Sequence, residues 1–189
     1  MLRRLVLSIM RLEVIIGSVR VGRIGPSVAD WFVDRATADE RFDVGVLDLA
    51  QWPLPDDLSK SETSENFTAR IGSADAFVVV TPEYNHGYPA ALKTALDSVK
   101  HQWRAKPVGF VSYGGVSGGL RAVEQLRVVA SELHMVSTRD TVSFHGARRG
   151  FDPLTHDDGG AAADAATRLI DQLHWWAESL ATSRSTYPG

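Results

Sequence analysis

Short runs of apolar and β-branched residues alternate along this chain with stretches whose apolar positions recur every three to four residues. That alternation predicts parallel strands joined by crossover helices. Strands are expected at residues 12–16, 43–47, 76–81 and 108–112, with a weaker fifth near 136–142. The segment 76–81 is the most continuously apolar and is predicted to be central, because a strand buried on both faces does not alternate. After the first strand, Pro26 suits a helix start, and Val28, Trp31, Phe32 and Ala36 form one apolar stripe. A short helix is expected over 64–72. Further stripes run through Leu92, Ala95, Leu96 and Val99, then Leu120, Val123, Leu126, Ala130 and Leu133. A closing helix carries Ala166, Leu169, Ile170, Leu173, Trp176 and Leu180, and the Gly-, Asp- and His-rich stretch 143–160 before it reads as irregular.

Five strands with intervening helices predict an α/β fold: a doubly wound five-stranded parallel sheet with helices on both faces, of which the flavodoxin-like order 2-1-3-4-5 is a common form. The 189 residues are the size of one domain, expected over 10–189, with 1–9 read as a tail. In such sheets ligands bind beyond the carboxyl ends of the strands, where strands one and three diverge. Three unusual loops fall at those ends.

Composition narrows the function. A hydrophobic fraction of 44% and a charged fraction of 23% fit a water-exposed globular protein. Twenty basic against twenty-three acidic residues leave a net charge of -3, without the basic excess of a nucleic-acid binder. The lack of cysteine excludes disulfides and a thiolate nucleophile and fits a cytoplasmic location. No apolar run is long enough for a membrane-spanning helix, so no membrane partner is expected. The six histidines show no metal-binding spacing, and no G-x-S-x-G elbow occurs, so neither a metal site nor a hydrolase nucleophile is expected.

The first loop, GSVRVGRIGPS, stands between a strand and a helix start, where unpaired N–H groups and partial positive charge accept a phosphate. Ser18 and Ser27 offer hydroxyls, and Arg20 and Arg23 offer guanidinium groups. It is neither a Walker loop nor a dinucleotide G-x-G-x-x-G, which points to a monophosphate; solvated arginines in a plain connecting loop are the competing reading. The third strand leads into PEYNHGYP. There Pro82, Glu83, Tyr84, Asn85 and Gly87 are expected to offer backbone amides, the Asn85 amide and an aromatic body to an isoalloxazine ring, although ordinary turn chemistry explains the same residues. The fourth strand leads into SYGGVSGG. Gly114 and Gly115 let backbone approach a planar ligand, with Ser112 and Tyr113 beside it; a merely flexible loop is the alternative.

Taken in order, GSVRVGRIG, TPEYNHGYPAALKTALD and KPVGFVSYGGVSGGLRAVEQLR resemble the NADPH-dependent FMN reductases of the flavodoxin-like superfamily, which include quinone, azo-dye and chromate reductases. The resemblance implies that Ser18, Arg20, Arg23 and Ser27 hold the FMN phosphate, that Pro82, Glu83, Tyr84 and Asn85 line the isoalloxazine, and that Ser112, Tyr113, Gly114 and Gly115 flank it. It further implies NADPH, with NADH possible, as hydride donor and a homodimer or homotetramer, with Lys93, Arg121 and Arg127 at subunit contacts. Thr94 stands where the family often has Asn, and Tyr88 fills a variable position beside the flavin.

The resulting expectation is ping-pong hydride transfer through FMN to a small acceptor such as a quinone, flavin, azo compound or metal oxyanion. The protein supplies geometry and electrostatics rather than a catalytic acid or base. An electron carrier or flavin-binding regulator without nicotinamide turnover is the alternative from another class, and a relative that has lost its flavin is a third.

Overall fold

The computed structural model describes residues 9–156 and 158–188; residues 1–8, all but one of the expected tail, lie outside them. In chain order the elements are β1 (Met10–Ile16), α1 (Gly25–Thr37), β2 (Phe42–Asp48), α2 (Glu62–Ser73), β3 (Ala76–Pro82), α3 (Ala90–Asp97), β4 (Pro107–Tyr113), α4 (Leu120–Glu132), β5 (Val136–Ser137), β6 (Val142–Phe144) and α5 (Ala161–Ala181). The strands pair in the order β2-β1-β3-β4-β5, with β6 also on β4, and every pairing is parallel.

The alternation of side chains along each strand divides the core into two layers. Leu12, Val14 and Ile16 of β1 and Val78 and Val80 of β3 face α1 and α5, meeting Val28, Phe32, Leu169 and Leu173. Ile15, Phe77 and Val79 face the other way, onto Phe67 and Ile71 of α2, Leu92 of α3 and Leu126 of α4. β3 is buried at all seven positions, as its unbroken apolar run predicts. Each such aliphatic or aromatic side chain contributes roughly 1.5–3 kcal/mol by leaving water, and both layers converge on the base of the strand-end loops.

Two elements differ from the sequence reading. The third helix stops at Asp97, before Val99. The Trp103 indole N–H donates to the Leu96 carbonyl at 3.2 Å, so the side chain of a buried tryptophan takes an acceptor that another helical turn would need. The fifth strand is split. Pro107 and Val108 pair with Val136 and Ser137, and Val111 to Tyr113 with Val142 to Phe144, so residues 138–141 lie opposite only 109 and 110. This two-residue expansion is a bulge at the sheet edge. Arg127 of α4 satisfies it by donating to the carbonyls of Thr138 and Arg139, while the Thr141 hydroxyl donates to Phe110 O. Arg127 therefore has employment within its own chain, as does Lys93, which pairs with Asp97 one turn away.

Candidate functional site

At the carboxyl ends of β1, β3 and β4 lies a cavity of about 560 Å³, within the size range of cofactor sites. Its first wall is residues 20–24, its second 82–84, its third 113–115, and its fourth 147–149.

The floor is fixed first. The Gly17 amide donates to Val80 O, which fastens the start of the first loop to β3. Ser18 is fully buried, and its hydroxyl accepts a hydrogen bond from the Tyr113 phenol at 3.1 Å. Gly25 is required here: a Cβ would stand 2.4 Å from Ser18 Oγ and 2.9 Å from the Tyr113 oxygen. Burial pushes the Tyr113 phenol up to about 12 against the opposing effect of its bond to Ser18, so it remains a neutral donor at physiological pH. Ser18 thus lies beneath the cavity rather than on its wall.

Arg23 lines the cavity but is braced from behind. Its guanidinium makes two 2.6 Å bonds to the Asp48 carboxylate and a third to the Ser18 carbonyl. Burial of Asp48 opposes ionisation, yet the Arg23 hydrogen bonds, the Ala50 amide and the Arg23 charge together outweigh it and hold the carboxyl below the usual range. The Ser27 hydroxyl donates to Ile24 O, outside the lining. What remains is the start of α1, which has no side-chain cap and no acidic residue in its first turn, with the exposed Arg20 nearby. An uncapped helix start of this kind attracts an anion.

The second wall departs from the ligand-facing amides expected of PEYNHG. Tyr84 and Gly87 exchange both backbone hydrogen bonds, and Asn85 and His86 have φ of 50° and 71°, which makes a tight type I′ hairpin. The Glu83 amide donates to Tyr113 O. The amides of Glu83, Tyr84 and Gly87 are therefore consumed by the fold, correcting the expectation that they face a ligand. Pro82, Glu83 and Tyr84 do line the cavity; Asn85 and Gly87 do not. Glu83 accepts from the Ser117 hydroxyl and pairs with Arg121, tying the second wall to the third. Arg121, like Lys93 and Arg127, is thus engaged intramolecularly.

Gly114 and Gly115 line the third wall, and beyond Gly115 a Cβ would meet nothing within 4 Å, so bare backbone faces open space. Ser112 is buried and its hydroxyl donates to Gly118 O, holding the loop's return instead of facing the cavity. The return needs Gly119, whose φ is 88° and whose Cβ would lie 2.9 Å from the Tyr113 amide nitrogen.

The fourth wall went unnoticed in sequence, where residues 143–160 read only as irregular. Gly114 N donates to Phe144 O, Gly146 N to Gly115 O, and Ala147 N to Gly114 O. These bonds zip the chain after β6 along the glycine wall and deliver Arg148 and Arg149 to the cavity. The available signal was an Arg-Arg-Gly triplet shortly after the last strand.

Among the described residues, Arg20, Arg148 and Arg149 have no ion pair, whereas Arg23 is matched by Asp48 and Glu83 by Arg121. The lining is therefore positive. A planar ligand bearing a phosphate fits this combination of bare backbone, apolar and aromatic walls and cationic rim, and those are the requirements of FMN.

Comparison with known proteins agrees. Residues 10–149 match the family model for NADPH-dependent FMN reductases. An NAD(P)H-dependent FMN reductase of Schizosaccharomyces pombe is 40% identical over 136 residues, covering 66% of this chain and 68% of the relative. An FMN-dependent NADPH-azoreductase of Staphylococcus haemolyticus is 30% identical over 171 residues, 84% of this chain and 83% of the relative. In fold, the chain is similar to the solved flavoenzyme NAD(P)H:(acceptor) oxidoreductase of Paracoccus denitrificans, with a TM-score of 0.68 at 22% identity over 90% of this chain and 98% of that one. The site and fold define a flavin-dependent oxidoreductase. The chain belongs to the NADPH-dependent FMN reductase family.

Proposed function

We propose that residues 10–189 form one FMN-binding unit in which Arg20 and the first amides of α1 receive the phosphate. Gly114, Gly115, Pro82 and Tyr84 bound the isoalloxazine. Arg23 and Tyr113 on the wall and Ser18 beneath it form the frame that keeps the first and third walls at a fixed separation; Ser27, Asn85, Gly87 and Ser112 serve the loops' own folds. Glu83 holds the glycine loop through Ser117 and Arg121 and is not offered as an acid or base.

When bound, the flavin supplies the redox chemistry, accepting hydride equivalents from the nicotinamide and passing electrons on. The chain contributes orientation and a positive field. An open glycine-bordered wall, where a Cβ on Gly115 would meet nothing within 4 Å, suits a small acceptor of loose specificity, such as a quinone, an azo compound or free flavin. The names of the azoreductase relative and of the acceptor oxidoreductase support that class. We further propose a homodimer or homotetramer and a cytoplasmic setting; among the described residues no helix is long and apolar enough to cross a membrane.

The observation that carries this reading is the meeting around one cavity of an uncapped helix start, an Arg20 with no ion pair among the described residues, and a glycine wall. Its test is an absorbance spectrum of the purified protein titrated with FMN, then mixed anaerobically with NADPH. Tight uptake followed by rapid bleaching of the flavin band is expected. A protein that takes no FMN, or whose bound flavin NADPH leaves oxidised, overturns the proposal.

A further inference from the structure

The charge on the cavity wall exceeds what one phosphate requires. Arg20 and the start of α1 form one anion-attracting corner. Arg148 and Arg149 join the lining on a separate segment, hydrogen-bonded to the glycine wall rather than to the first loop. Both are exposed, and neither side chain has a hydrogen bond or ion pair among the described residues. The described acids that flank the pair in sequence have other partners: Asp140 accepts from the Gln172 amide and lies beside Arg139 and Arg168, Asp152 accepts from the Leu154 amide, and Asp158 from the amides of Gly160 and Ala162. Glu83, the acid of the lining itself, is spent on Ser117 and Arg121.

Within the lining, Arg23 and the Arg148–Arg149 pair differ physically. Arg23 is half-buried and clamped by Asp48, as befits a wall that holds a resident group. Arg148 and Arg149 are exposed side chains on a backbone pinned by two bonds, the Gly146 and Ala147 amides on Gly115 O and Gly114 O. Such a pair at a rim can catch and release an anion in every turnover. A guanidinium pair meets a phosphate dianion through several donors at once, whereas a ribose hydroxyl offers it one weaker, uncharged acceptor.

We propose that Arg148 and Arg149 form the subsite for the 2′-phosphate of NADPH and thereby set the preference of this protein for NADPH over NADH. The assignment rests on the FMN reading above, since the nicotinamide must reach the flavin while its adenosine end reaches the rim.

The test uses FMN-loaded protein and calorimetric titration with two probes that differ by one phosphate, 2′,5′-ADP and 5′-AMP. Wild type is expected to bind 2′,5′-ADP more tightly. The double variant Arg148→Gln, Arg149→Gln should lose about 10- to 100-fold of that affinity, the scale of losing charge-assisted hydrogen bonds, and keep its affinity for 5′-AMP and for FMN. The ratio of kcat/KM for NADPH to that for NADH should fall by a similar factor. Equal affinity of wild type for both probes overturns the assignment. So does a double variant that keeps the difference, or one whose principal loss is of FMN, which would make the pair a clamp for the resident phosphate. FMN titration of wild type reads the underlying flavin proposal by itself, so a failure there is distinguishable from a failure of the subsite.

Discussion

Two arginine clusters in this molecule make opposite use of the same side chain. On the sheet face toward α2, Arg11 and Arg70 close around Glu13, each taking one of its carboxylate oxygens, while Arg11 also reaches Asp43 and Arg70 the Val46 carbonyl. The Glu13 side chain is 1% exposed. Across the strand pair stands Gly45, where a Cβ would fall 2.2 Å from an Arg11 nitrogen, so the glycine makes room for the network. At the strand ends, by contrast, Arg20, Arg148 and Arg149 surround a cavity with no carboxylate assigned to them among the described residues. Positive charge that a fold neutralises internally supports architecture. Positive charge left open on a concave wall is held for something that arrives from solution.

That contrast is sharpest under substitution. Glu13→Ala leaves two guanidinium groups facing a buried gap; because each arginine is about a third exposed and can rehydrate, the expected loss is about 3 kcal/mol, at the low end for a broken buried pair. Urea unfolding measures it, and FMN affinity should stay put; a variant that also releases flavin would show that the clusters are not independent. Arg20→Ala should do the reverse, weakening FMN by about 10- to 100-fold while shifting the unfolding midpoint little. Unchanged FMN affinity by fluorescence titration would strip Arg20 of its role. Tyr113→Phe removes one neutral hydrogen bond to a buried hydroxyl and should cost about 1 kcal/mol of stability, with a few-fold weaker FMN because the wall separation loosens.

The smallest effect concerns pH. Burial of Glu83 opposes ionisation, but the hydrogen bonds from Ser117 and Arg121 prevail and hold its carboxyl below the usual range. Its contribution is therefore complete above the unfolded value of about 4.3 and is lost as pH falls through the lower folded value. The difference in thermal midpoint between wild type and Glu83→Gln should shrink across that interval. A difference that persists well below it would remove the carboxylate from the account.

Much of this was legible in the sequence because the signals were strong and local. The unbroken apolar run at 76–81 marked the central strand, and the helical stripes marked which faces bury. The site was legible as a set of loops, less so as a set of side chains. Ser18 and Ser27 read as phosphate-side hydroxyls and Ser112 as a neighbour of the flavin, yet each is bonded within the fold instead, to Tyr113, Ile24 and Gly118, and the Ser18 partner lies 95 residues away in sequence. The Asn85-His86 turn has a local signature that can be read as either a hairpin or a ligand loop, and hydrogen bonding decided it. Arg148 and Arg149 were invisible for the converse reason. Their position depends on a parallel edge strand interrupted by a bulge, which periodicity over two or three residues cannot reveal.

The phenol of Tyr113 reaches across to the hydroxyl of Ser18 over a sequence separation of 95 residues. It acts as a rivet between the early and the late half of the chain. That bond ties the first loop to the third at their shared floor, so a disturbance of either is passed to the other.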